Sequence, residues 1–131
     1  MKTIFTFLIL FVSISAQAQT WQNADTVSCP DDVENIYVRP LYSDSLSSSY
    51  VIFIKKQVKL HKHINHTEHV MVLAGSGDMV LGDKVFPIKK GDVVFIPKNT
   101  PHSVVTTSKK PLKVVSIQSP QFLGKDRVFL E

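Results

Sequence analysis

The chain has 131 residues, 44% of them hydrophobic and 20% charged, with a formal charge of +4. That length suits one domain with its own core, and that balance excludes wholesale disorder and a multi-span membrane protein. Cys29 is the single cysteine, which excludes an intramolecular disulfide, so a free loop thiol or one paired between chains is expected.

Residues 1–18 read as a secretory signal peptide: Lys2 gives a positive start, Ile4 to Ile14 is almost wholly apolar, and Ala16-Gln17-Ala18 is a small-x-small cleavage site. This apolar stretch of eleven residues falls short of the roughly 20 that a spanning helix needs. Cleavage after Ala18, no stable membrane anchor, and export to a periplasmic or secreted location are the expectations. The remaining chain carries 14 basic and 11 acidic residues, and its lysine pairs at 55–56, 89–90 and 109–110 are dispersed. Such pairs suit strand ends and turns, so no nucleic-acid partner is expected.

Residues 19–49 form a polar N-terminal arm, with a first strand over Asn35 to Leu41 and a serine-rich loop after it. From there short β-branched runs alternate with turn residues: Tyr50 to Val58, Glu68 to Ala74, Asp78 to Leu81, Lys84 to Ile88, Val93 to Ile96, His102 to Thr107 and Leu112 to Gln118. Gly75-Ser76-Gly77, Gly82-Asp83 and Lys90-Gly91-Asp92 read as hairpin signals, and Asp78 and Asp83 suit turns. This rhythm predicts an all-β sandwich or barrel over residues 50–118, with 119–131 as a C-terminal tail that forms a last strand or a flap. Met71, Met79, Phe86 and Phe95 are expected in its core. Trp21, in the arm, suits an anchor against the barrel or a partner subunit as well as no role.

Four of the five histidines lie between 61 and 69, and the fifth is His102. A strand places residues i and i+2 on one face about 7 Å apart, so His61 and His63 can aim two imidazoles at one point. Glu68 joins them if residues 64–67 fold back as a hairpin, and His102 joins them if a barrel closes. Three imidazoles and a carboxylate suit a divalent transition metal, Fe, Mn, Ni, Cu or Zn, with positions left for water or substrate. His69 should face away from Glu68, and His66 sits in the turn; a surface contact or a hydrogen bond behind the ligands suits both better than coordination.

These residues fall into two motifs. His61-x-His63, four residues, Glu68, six residues and Gly75 is the first; Gly91, five residues, Pro97, four residues and His102 is the second. With both, the chain resembles a small single-domain cupin over roughly Tyr50 to Gln118. Three positions depart from the family pattern, with Lys55 and Asn99 in place of glycines and Thr106 in place of an asparagine; Asn99 tolerates the left-handed backbone a turn glycine takes. The resemblance implies a double-stranded β-helix, jelly-roll-like, with the metal on His61, His63, Glu68 and His102 inside the barrel mouth, and often a homodimer.

The fold does not choose the chemistry. The ligand set points to an exported metal-dependent enzyme of the oxygenase or isomerase class acting on a small molecule, with its catalytic residues unassigned. The alternatives are a non-catalytic sugar or small-ligand binding module with a structural metal, and metal capture outside the cytoplasm.

Overall fold

A computed structural model describes residues 21–131, and the segment read as a signal peptide lies outside the described residues. A short 3-10 turn, Ala24–Thr26, precedes ten strands: β1 Ile36–Ser43, β2 Ser48–Ile54, β3 Gln57–His63, β4 Thr67–Ala74, β5 Ser76–Leu81, β6 Lys84–Lys89, β7 Val93–Ile96, β8 His102–Thr106, β9 Leu112–Ser119 and β10 Arg127–Phe129. They form two five-stranded antiparallel sheets, ordered β1-β2-β9-β4-β7 and β10-β3-β8-β5-β6. Only β1-β2 and β5-β6 are hairpins between consecutive strands; every other connection crosses from one sheet to the other. The result is a double-stranded β-helix, as the strand rhythm and the family resemblance led us to expect. Among the described residues no helix is long and apolar enough to cross a membrane.

The core is the space between the sheets. Ile54, Val72, Met79, Ile88, Val94, Ile96, Val104, Leu112 and Val114 are buried there, the inward-facing members of alternating strands. The same alternation corrects two core expectations. Met71 and Phe95 are 48% and 49% exposed, because they stand on the outer face of the first sheet beside His69, whose ring lies 4.9 Å from that of Phe95. Met79 is buried and Phe86 packs against the core.

The run from Tyr50 to Val58 is two strands, not one. It breaks at Lys55-Lys56, where the Asn35 carboxamide accepts from the backbone N–H groups of Lys56 and Gln57 and donates to the Gln57 carbonyl. Gly82-Asp83 is a true two-residue hairpin, Leu81 facing Lys84 across it, with Gly82 at φ +60°. The other two glycine signals are crossings between sheets. At one of them Gly75 has φ +77°, and a Cβ there would stand 2.8 Å from the Pro111 carbonyl oxygen. Asp78 sits within β5 rather than in a turn.

The N-terminal arm reaches the first sheet's outer face. Lys113 is buried there, its Nζ donating to the carbonyls of Asp25 and Val27 at 3.2 and 2.9 Å and lying 5.2 Å from the Phe53 ring. Trp21 is 73% exposed, beside Tyr37 and Arg39 of β1.

Candidate metal centre

His61 and His63 stand on β3 and face inward because of a bulge. Between the pairs Val58–Val104 and His61–His102, β3 carries two residues where β8 carries one, which shifts the inward face from even to odd positions. Val58, His61 and His63 therefore all line one cavity. His102, on the neighbouring β8, is the direct cross-strand partner of His61. Glu68 comes from β4 in the opposite sheet. Both routes differ from expectation: sheet pairing delivers His102, and the face-to-face approach of the sheets delivers Glu68, since residues 64–67 cross between sheets instead of forming a hairpin.

All four residues are buried. Ligand nitrogens of His61, His63 and His102 lie within 4.8 Å of one another. Glu68 Oε2 is 3.7 Å from His63 Nε2 and 3.6 Å from His102 Nε2, longer than hydrogen bonds. Its other oxygen accepts from the Ser116 hydroxyl and, at 3.4 Å, from Gln118 Nε2. Ser116 and Gln118 face inward on β9, which pairs with β4.

The backbone aims two of the imidazoles. His61 Nδ1 is 2.8 Å from the Lys59 carbonyl oxygen and His102 Nδ1 is 2.9 Å from that of Thr100. A carbonyl only accepts, so each Nδ1 carries the proton and each Nε2 presents a lone pair to the interior. His102 Nε2 and both ring nitrogens of His63 are buried with no hydrogen-bond partner. Buried polar atoms are ordinarily satisfied, so open nitrogens on neighbouring rings, one lone pair to each neutral ring, fit a group that accepts lone pairs.

Charge follows the same logic. Burial, reinforced by His102, pushes the pKa of His61 down to about 4. Burial and then His66 push that of His63 down to about 3. Burial opposes ionisation of Glu68, yet the His102 ring and the Ser116 hydroxyl hold its carboxyl well below the usual range. Neutral His61 and His63 beside an ionised Glu68 are protonation states that metal ligation requires.

A second group lies behind His63. His66, 2% exposed, places Nδ1 at 2.8 Å from Asp126 Oδ2, and Asp126 Oδ1 is 3.8 Å from His63 Nδ1. Asp126 also accepts from the Asn65 and Ile64 backbone N–H groups, through Oδ2 and its carbonyl, and Phe122 packs edge-on against both histidines. His63, His66 and Asp126 also bring ligand atoms within 4.8 Å of one another, so His66 belongs to a second cluster that could hold an ion. The sequence reading passed over Asp126, Phe122, Arg127, Ser116 and Gln118. For Ser116 and Gln118 the inward alternation of β9 was the available signal; for the others there was none, since Arg127 arrives by the β10–β3 pairing and Asp126 and Phe122 come from the segment just before β10.

The second motif behaves as its residues suggest. Asn99 takes φ +61° and its backbone N–H meets the His63 carbonyl. Thr106 donates its hydroxyl to the Ile54 carbonyl.

The site opens into a cavity of about 110 Å³ with mainly aliphatic walls, including Ile52, Val70, Ile96 and Leu112. Among its lining residues only Glu68 and Arg127 carry a full charge.

Comparison with known proteins bears on the family and the fold. The chain is 33% identical over 81 residues to an uncharacterized protein of Methanocaldococcus jannaschii, covering 62% of this chain and 65% of that one. It is 33% identical over 66 residues to the mannose-1-phosphate guanylyltransferase RfbM of Salmonella typhimurium, half of this chain but only 14% of that enzyme. Among solved structures, an uncharacterized Klebsiella pneumoniae protein with a double-stranded β-helix domain superposes with a TM-score of 0.75 at 16% identity, covering 87% of this chain and 99% of that one. Residues 51–118 match the family described as the cupin domain, and the chain belongs to that family.

Proposed function

We propose that this is an exported, metal-binding cupin that takes a small molecule at its barrel mouth, as a metal-dependent enzyme of the oxygenase or isomerase class. The observation that carries the reading is the convergence of buried, unpartnered imidazole nitrogens, two of the rings fixed by carbonyls, beside an ionised Glu68. His61, His63, His102 and Glu68 would hold the ion. A divalent metal held there would supply Lewis acidity, polarising a bound oxygen or acidifying bound water. The chain's own residues set the stage for it: Ser116 and Gln118 hold Glu68 in place, and the aliphatic walls keep the surroundings dry.

One observation favours the second reading, a binding module with a structural metal. Apart from the four candidate ligands, the polar groups lining the cavity are Ser103, Gln118 and Arg127, none of them a general acid or base of ordinary pKa near 7. Elemental analysis of protein purified without chelator or affinity tag tests the metal. About one transition metal per chain is expected, lost in His61→Ala combined with His63→Ala. Unchanged metal content in that double variant sinks the site assignment. Turnover by the loaded protein of a small oxygen-containing substrate then separates enzyme from binding module.

A further inference from the structure

Arg127 is the cavity's one cationic side chain, and its position is set by strand pairing. On β10 it is the cross-strand partner of His63, and partners across an antiparallel pair stand on the same face of the sheet. His63 faces the cavity, and so does Arg127, which lines it from an exposed position. Arg127 joins no ion pair among the described residues. Its guanidinium carbon lies 5.5 Å from the centre of the Phe122 ring, a contact that leaves in-plane N–H donors for a ligand. The neighbouring Asp126 carboxylate is engaged by His66 and the Asn65 backbone.

Resting on the metal reading above, we propose that the molecule taken at this mouth is a small carboxylic acid with a short apolar body, its carboxylate recognised by Arg127. A divalent ion and Arg127 set against the carboxylates of Glu68 and Asp126 leave the site with a net positive charge between aliphatic walls. An anion offsets part of that charge where the dielectric is low. A guanidinium fork matches a carboxylate's two oxygens. The walls select among anions: Ile52, Val70, Ile96 and Leu112 offer nothing to a strongly hydrated phosphate but suit a few carbons.

The test uses the full chain loaded with Co(II), whose visible spectrum reports the metal's surroundings, titrated with acetate, propionate and butyrate and with the corresponding neutral amides. We expect each acid to bind at least tenfold more tightly than its amide, and Arg127→Gln to weaken acid binding by at least tenfold while Co(II) content stays at one per chain. Equal binding of acid and amide, or unchanged acid affinity in Arg127→Gln, overturns this inference alone. Failure of the wild-type chain to take up Co(II) overturns the metal reading beneath it, and the inference with it.

Discussion

His61 and His102 each lean an Nδ1 on a backbone carbonyl two residues back, whereas His63 has no such partner and faces Asp126 Oδ1 across 3.8 Å. Metal-bound imidazoles are held by an acceptor on the far nitrogen, and loss of that acceptor typically costs 10–100-fold in affinity. Asp126 is the acceptor facing His63 Nδ1, but 3.8 Å is too long for a hydrogen bond, so Asp126→Ala is expected to weaken metal binding by less than about tenfold, measured by competition with a chromophoric chelator; a larger loss would show that Asp126 closes on His63 when the metal binds. At this scale the sequence was partly legible. His61, His63, Glu68 and His102 declare themselves because imidazoles at i and i+2 share a strand face and because the glycines and proline around them keep motif spacing. Asp126 and Arg127 carry no such mark, since they meet the site only through a register 60 or more residues away in the chain.

Among the elements, the bulge in β3 and the crossing at Gly75 do most to place the site. The bulge sets which face of β3 points inward, and nothing in the alternation of Gln57 to His63 announces it. Gly75 links β4, which carries Glu68, to the second sheet, at φ +77° and with the Pro111 carbonyl too close for a Cβ. A side chain in that backbone conformation costs about 1–2 kcal/mol, and the contact adds to it. Gly75→Ala is expected to lower the melting temperature by roughly 10 °C, by the usual size scaling, while Gly91→Ala, whose Cβ would meet nothing within 4 Å, loses less. Equal losses would mean that backbone conformation alone matters at both corners. The glycines were legible as turns, but whether a turn closes a hairpin or crosses between sheets depends on pairing partners far along the chain.

At the scale of the whole molecule, the buried site ties stability to pH. The pKa values of His61 and His63 lie below the free-imidazole value when folded, so between about pH 6.5 and 4 the unfolded chain binds more protons. Stability therefore rises with pH across that window and falls as pH drops through it; Glu68, also depressed, adds a loss in the same direction further down. Metal-free protein is expected to melt on the order of 10 °C lower at pH 5 than at pH 7, followed by circular dichroism, and a flat profile would contradict burial of these imidazoles in the neutral form. By itself the sequence determined an all-β chain, its turns and the four candidate ligands, because alternation, turn chemistry and motif spacing are local properties. The tertiary structure decided which strands share a sheet, which face of β3 turns inward, and that β10 brings Asp126 and Arg127 beside His63. Those outcomes depend on hydrogen-bond register between distant strands and on two sheets burying one core, and no local window of residues contains either.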